Sequence, residues 1–253
     1  IGAGIIGTMT AWFLSQQGHR VVVCDKGQVA GEQSSKNWGW TRQMGRDEAE
    51  LPIMMESLRI WDYLSEEVGA DLGFRREGSL YLCENEAEVS RHDHFRSFAP
   101  AYGLESKLIN SDQLYTLLHH TARHWVSALH TPSDGRAEPA IAVPAVARAC
   151  VSRGVSILEN CAVRTISTAN SEIDGVYTER GFIKCSSVVC CGGAWTSTFL
   201  HNCGIYMPQL TVKASVVRTA PAPLIFAGNA SGNNLAFRRR EDGGYTIAMG
   251  DYL

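Results

Sequence analysis

The sequence predicts an α/β chain that opens on a parallel sheet and continues into antiparallel strands. Three observations carry this. Gly2-Ala3-Gly4-Ile5-Ile6-Gly7 is followed by a short apolar helix and then by the strand Arg20-Val21-Val22-Val23-Cys24-Asp25, apolar without a break over 21–24, the pattern of a strand in a parallel sheet. A second apolar helix, at 140–153, stops at Gly154 and gives way to a strand at 155–159, which repeats the strand–helix–strand order of a parallel sheet. Elsewhere, short runs rich in Val, Ile, Tyr and Thr are bounded by Gly-marked turns, as in antiparallel pairing.

Composition narrows the class. The chain has 253 residues, 23 Lys+Arg against 26 Asp+Glu, a net charge of −3, 45% hydrophobic and 19% charged residues. Disordered chains need low hydrophobicity and high net charge, so that class is excluded. A nucleic-acid binder would show a basic surplus, and none is present. No apolar stretch reaches the roughly 18 residues of a transmembrane helix. The length fits one or two domains and a core that needs no disulfide staples. Eight cysteines, at 24, 83, 150, 161, 185, 190, 191 and 203, make no paired C-x-x-C set, so no metal site is expected. Cys24, Cys190 and Cys191 lie in apolar runs and read as small buried hydrophobes. A reducing, cytoplasmic location is expected. Both ends read as interior to a longer protein.

The elements follow in order. Residues 8–17 form a helix that stops at Gly18, and 20–25 a strand. Residues 27–47 are rich in Gly, Ser, Gln and Asn and read as a long loop, a length usually reserved for function. A helical period returns over 48–67 through Leu51, Met54, Met55, Leu58, Trp61 and Leu64, where the two methionines read as core. A strand at 78–83, a polar helical region at 85–100 and a helix at 111–119 capped by Ser111 come next. Thr131-Pro132-Ser133-Asp134-Gly135 marks a turn. Pro144 lies near enough to the start of the 140–153 helix to be tolerated. Residues 162–189 read as a three-part meander with turns at Asp174-Gly175 and Arg180-Gly181, leading into a strand at 187–191. Residues 245–250 alternate like a strand.

The first motif carries chemistry. In G-x-G-x-x-G, Gly2 permits the tight turn, Gly4 lets backbone approach a pyrophosphate, and Gly7 allows close helix–strand packing. The helix start offers N–H groups and a positive dipole end to phosphates. Asp25 ends the next strand, where a carboxylate accepts from a ribose hydroxyl and repels a 2′-phosphate. The motif alone leaves NAD and FAD open.

Three further stretches extend the pattern. Ser34-Ser35-Lys36-Asn37-Trp38-Gly39-Trp40-Thr41-Arg42 is a Ser-rich loop. Thr131-Pro132-Ser133-Asp134-Gly135-Arg136-Ala137-Glu138-Pro139 precedes a helix. Val188-Val189-Cys190-Cys191-Gly192-Gly193-Ala194-Trp195-Thr196 is a second Gly-rich turn. In this order they resemble the FAD-dependent amine and amino-acid oxidoreductases that include D-amino acid oxidase, glycine oxidase and sarcosine oxidase. The family's usual Ala is replaced at Cys191-Gly192, and the Pro that often precedes the Arg is absent from Phe237-Arg238-Arg239-Arg240.

The resemblance implies a Rossmann-like FAD-binding domain, a parallel sheet plus β meander, over 1–75 and 135–204. An interleaved α+β substrate domain on a mostly antiparallel sheet takes 76–134 and 205–253. The family's last substrate-domain strands and its C-terminal FAD-contacting motif would lie beyond these residues. It further implies FAD contacts at Gly2, Gly4, Ile5, Ile6, Gly7, Asp25, Lys26, Ser34, Ser35, Lys36, Asn37, Trp38, Gly39, Val163, Gly192, Gly193 and Trp195. The implied reaction passes hydride from the carbon beside an amine to flavin N5 and hydrolyses the imine. Its partners are a small amine or amino acid and an electron acceptor, oxygen or quinone.

Several roles stay open. Arg42 is the catalytic candidate, a cation beside the reduced flavin, or a surface residue paired with Asp47 or Glu48. Lys36 and Asn37 donate to the cofactor or are solvated. Trp38 and Trp40 line the ring or pack. His130 is a perturbed or a structural histidine. His92, His94, His119 and His120 are metal ligands or, with no acidic or Cys companion at ligand spacing, solvated helix faces. Arg238, Arg239 and Arg240 grip a substrate carboxylate or lie on a charged edge strand. Two competing classes remain: an NAD-dependent Rossmann dehydrogenase, and a non-catalytic fragment or electron-transfer subunit.

Overall fold

Val22–Cys24 pairs in parallel with Ser156–Leu158, Val23 opposite Ile157, the pairing expected of strands joined through a helix. In the computed structural model, which describes residues 1–249, this pair belongs to the first of two units, Ile1–Asn37 with Pro139–Lys213. The Gly2 amide donates to the Cys24 carbonyl at 2.8 Å. Ile1 bonds the Val189 carbonyl and receives the Cys191 amide, each at 2.7 Å. The strand expected at 187–191 is therefore an extended segment held by two bonds to Ile1, too few for a regular ladder.

The helices Ile5–Gln16 and Pro139–Ser152 pack together beside this sheet. Small residues permit the approach: Thr8, Ala11, Ala142 and Ala145 are all buried, and the Cys150 thiol donates to the Thr8 carbonyl at 3.4 Å. Helix one begins at Ile5 rather than at 8, because the glycine turn itself enters the helix. Pro144 sits past the first turn. It removes one backbone bond, and the burial of Val143, Ala145 and Val146 around it offsets the loss.

The meander is present as Val163–Ala169, Glu172–Thr178 and Gly181–Lys184. Its first turn is Asn170-Ser171, both at positive φ (52° and 65°), as a two-residue hairpin turn requires. The expected turn at Asp174-Gly175 instead lies inside the middle strand. Gly175 is there for space: a Cβ would stand 2.3 Å from the Phe182 ring.

The second unit is Trp38–Glu138 with Ala214–Leu253. Its sheet has seven strands in the order Val216–Arg218, Tyr245–Met249, Leu235–Arg239, Asn229–Gly232, Ser79–Cys83, Ser127–Thr131 and Lys107–Asn110. Only the Asn229–Gly232 and Ser79–Cys83 pair is parallel. The final strand ends at Met249 among the described residues, and Gly250, where the alternating run was expected to end, lies outside them. Buried Leu80, Leu82, Leu114, Trp125, Ala128 and Ala230 form one core cluster. Met44, Leu51, Phe95, Phe98 and Leu129 form another, with Met55 against it.

Packing draws the boundary differently from the sequence. Residues 38–75 were expected with the first segment. They pack in the second unit because Trp40–Thr41 pairs with Gly135–Arg136, Arg75 bridges Arg136, and the helix Leu51–Val68 gives Leu51 to the cluster on Leu129. The loop expected at 27–47 also contains a helical turn, Gln33–Lys36, and the strand Trp40–Thr41. The helix Ser111–Leu117 is capped by Asn110, not Ser111: Asn110 and Gln113 bond each other's backbone in a capping box. Among the described residues, no helix is long and apolar enough to cross a membrane.

Candidate cofactor site

The first unit builds a turn that excludes side chains. Gly2 has φ +100°, and a Cβ there would lie 2.4 Å from the Cys191 carbonyl oxygen. A Cβ on Gly7 would lie 1.9 Å from the Gly2 oxygen, and one on Gly4 2.8 Å from the Ser34 hydroxyl. Gly4 caps the helix Ile5–Gln16 and has no side chain to satisfy its first amides. The Ile5 amide donates to Ser34 Oγ at 2.9 Å. Ile6 stands 67% exposed at this end, an apolar residue that folding alone leaves uncovered.

Asp25 closes the turn from the strand side. Its Oδ2 accepts the Ala3 amide at 2.7 Å and its Oδ1 the Gly27 amide at 2.8 Å. Each oxygen keeps a further lone pair for a hydroxyl. Lys26 lies 4.0 Å over the Trp195 ring and pairs with Glu32 at 2.8 Å. Lys26 and Lys36 together hold the Glu32 carboxyl below its usual range. Thus Lys26, Trp195 and the Ser-rich turn come together, although they are far apart in sequence.

The second Gly-rich turn is tied to the same place. Gly193 has φ +55° and abuts Gln33, whose Oε1 accepts the Ala194 amide at 3.2 Å. Gly192 caps the short helical turn Gly193–Trp195. Ser35 bonds the Glu32 carbonyl, and Asn37 bonds the carbonyls of Gln33 and Ser34. Lys36 is exposed. Val163 starts a meander strand two residues after Cys161, whose amide donates to the Asp25 carbonyl at 2.7 Å. Cys24 is buried as expected, and burial pushes its thiol up to about 11. Cys190 and Cys191 are only half-buried.

These features suit a dinucleotide. Gly2, Gly4 and Gly7 keep the turn tight, since a Cβ at any of them would strike Cys191, Ser34 or the Gly2 carbonyl. The helix start supplies donors, and the chemistry of Asp25 suits a ribose hydroxyl.

The remaining expected residues lie in the second unit. Trp38 and Trp40 meet edge to face at 5.7 Å. Gly39 has φ +76° and faces the Ala137 carbonyl and the Arg238 guanidinium, where a Cβ would be 2.6 and 2.8 Å away. Arg42 does not pair with Asp47 or Glu48. Its guanidinium donates to the Met44 carbonyl and lies about 6 Å from the Trp40 and Tyr81 rings. Asp47 instead caps the turn Glu48–Glu50.

The arginine run is neither an edge strand nor an open clamp. Leu235–Arg239 is an interior strand. Arg238 is 2% exposed, binds Glu138 through both Nη atoms (2.6 and 3.2 Å) and donates through Nε to the Trp38 carbonyl. Arg240 is also buried and binds Asp242 and the carbonyls of Tyr245 and Thr219. Arg239 lies over the Tyr245 ring. With these partners Arg238 and Arg240 are structural.

His130 is half-buried, and burial pushes it toward the neutral form. His94, His119 and His120 are exposed, whereas His92 packs on Tyr81. Sequence reading missed Gln33, Glu138 and Asp134. The last two stood within a quoted motif, but nothing local showed their partners.

Comparison with known proteins agrees with this geometry. A family model described as "FAD dependent oxidoreductase" matches residues 1–252. Mitochondrial sarcosine dehydrogenase of Mus musculus is 26% identical over 229 residues, 87% of this chain and 25% of that protein. The 4-methylaminobutanoate oxidase (formaldehyde-forming) of Paenarthrobacter nicotinovorans is 26% identical over 222 residues, 87% of this chain and 27% of its own. The structure of L-amino acid deaminase from Proteus myxofaciens in complex with anthranilate superposes with TM-score 0.93 at 32% identity, covering 98% of this chain and 57% of that one. The chain thus spans about a quarter of these two curated relatives.

Proposed function

The chain belongs to the FAD-dependent oxidoreductase family, and from that premise we propose that its protein oxidises the CH–NH bond of a small amine or amino acid. The observation that supports this best is the tight turn whose Gly2, Gly4 and Gly7 leave no room for a Cβ, with Asp25 and the second Gly turn bonded around it. In this reading Gly2, Gly4, Gly7 and the first amides of the helix Ile5–Gln16 hold the pyrophosphate. Asp25 accepts from the ribose, and Gly192 and Gly193 keep the second approach free of side chains. Bound FAD would supply the hydride acceptor, and the substrate leaves as an imine that water hydrolyses. The names of the relatives specify sarcosine, 4-methylaminobutanoate and L-amino acids. The amine they share is the group we carry over.

The test is the visible spectrum of the full-length protein, followed by anaerobic mixing with a panel of amines and amino acids. Flavin absorbance that bleaches with an amine is the expected result. A folded protein that never carries flavin would overturn the reading and leave the nicotinamide alternative to be tried.

A further inference from the structure

We propose that Gln33 and Gln209 are positioning residues that clamp the single peptide Gly193–Ala194 at its two polar ends and so set how the second Gly-rich turn faces the dinucleotide. The inference rests on the reading of that turn as a cofactor contact, and all of its residues belong to the first unit. Gln33 Oε1 accepts the Ala194 amide at 3.2 Å. Gln209 Nε2 donates to the Gly193 carbonyl at 3.0 Å, and its Oε1 accepts the Ser197 amide at 3.2 Å. That carbonyl and the Ala194 amide are the two ends of one peptide group. Through Ser197, Gln209 also ties the peptide to the first turn of the helix Thr196–Asn202. The fit to Gln33 is close: a Cβ on Gly193 would stand 2.5 Å from its Oε1.

The turn needs such a clamp. Gly192 and Gly193 stand in succession, and glycine takes many backbone conformations at similar energy. The direction of the peptide that follows them is therefore set by what it bonds. The Thr196 amide also bonds the Gly193 carbonyl, a contact made within the turn itself. The two glutamines reach in from outside, Gln33 from 161 residues away and Gln209 from 16. Both are exposed, where a hydrogen bond exchanged with water adds little to folding. Residues beside Gln33 extend the link. Glu32 binds Lys26, whose ammonium lies over the Trp195 ring, and Ser34 takes the Ile5 amide of the first Gly turn. Three consecutive residues thus reach the end of the first strand, the second Gly turn and the first. Gln33 couples the direction of one glycine turn to the place of the other.

The experiment titrates full-length apoprotein with FAD and compares Gln33→Leu, Gln209→Leu, their combination, and Gln33→Glu. Two quantities are read: the FAD dissociation constant and the melting temperature of the apoprotein. Two contacts that hold one peptide stand in for each other, whereas two independent contacts simply multiply. Each hydrogen bond is taken as about fivefold, and the unclamped turn as productive about one time in ten. Each single variant should then weaken FAD about twofold and the double about sevenfold, beyond the roughly fourfold product of the singles. Apoprotein melting temperatures should stay within about 2 °C of the parent. Gln33→Glu keeps the acceptor oxygen, so at about 1 M salt, where the Debye length is about 3 Å, it should bind FAD as the parent does. A double variant at or below the product of the singles overturns the clamp and leaves the FAD reading standing. So do dissociation constants that stay put while melting temperatures fall. A Gln33→Glu variant as weak as Gln33→Leu overturns it equally, because the glutamine would then act through its amide nitrogen on the cofactor itself. A parent protein that folds and never takes up FAD overturns both.

Discussion

Gly7→Ala sets two physical effects against each other. Alanine gains about 1 kcal/mol over glycine inside a helix, and Gly7 lies within Ile5–Gln16. Against this, the new Cβ must retreat from 1.9 Å to at least 3.4 Å from the Gly2 oxygen. The obstacle is backbone in a turn already pressed on Cys191, so no side chain can swing aside. Overpacking of this kind costs about 1–3 kcal/mol, and a backbone obstacle belongs at the upper end. The net expectation is about 2 kcal/mol of destabilisation, or ~4–8 °C in melting temperature for a domain of this size. The helix start must also move away from the turn, so FAD affinity should fall at least about tenfold, ~1.4 kcal/mol. Thermal unfolding and flavin titration of the full-length apoprotein check both numbers. A variant that is stabilised by about 1 kcal/mol and binds FAD unchanged would show propensity winning, and would refute the close-packing argument for this glycine.

Two further outcomes are expected. Glu138→Gln leaves Arg238 buried without its counter-charge and should cost about 3–5 kcal/mol in denaturant unfolding, whereas replacing both partners with apolar residues of similar volume should cost much less. The Asp242 carboxyl is held at about 2, against an ordinary 3.8, chiefly by its hydrogen bond to Arg240. Its folded form therefore binds fewer protons than the unfolded chain. The contribution is complete above about pH 4 and is lost as pH falls toward about 2. Acid unfolding of Asp242→Asn should lack that part of the slope, and an unchanged slope would remove Asp242 as its source.

The sequence made the glycine turn legible because its physics is local. Gly2, Gly4 and Gly7 act within one strand–helix junction, and Asp25 lies one strand away, so spacing alone carries the argument. The helix Leu51–Val68 was readable for the same reason: its apolar period is continuous, and Gly69 at φ +67° stops it. The meander turn misled because Asp-Gly is a common turn pair, while Gly175 serves a ring on the neighbouring strand. That cause appears only once strands are paired.

Arg238 shows where local reading ends. Three consecutive arginines give a strong signal of charge and none of burial, since exposed arginine is the ordinary case. Whether such a side chain can face water depends on what covers its face of the sheet, and along Leu235–Arg239 burial alternates, with Ala236 and Arg238 on the buried face. Leu235–Arg239 has strands on both sides, and Glu138 meets its guanidinium from exactly 100 residues away. The same separation explains Asp134, whose two amide partners lie about 90 residues upstream. Both carboxylates flank Gly135-Arg136, the strand that receives Trp40–Thr41. One short ribbon thus brings the ends of the segment 38–44 to two buried charges. That segment, Trp38-Gly39-Trp40-Thr41-Arg42-Gln43-Met44, reads as a loop because its order comes from those distant charges rather than from its own residues.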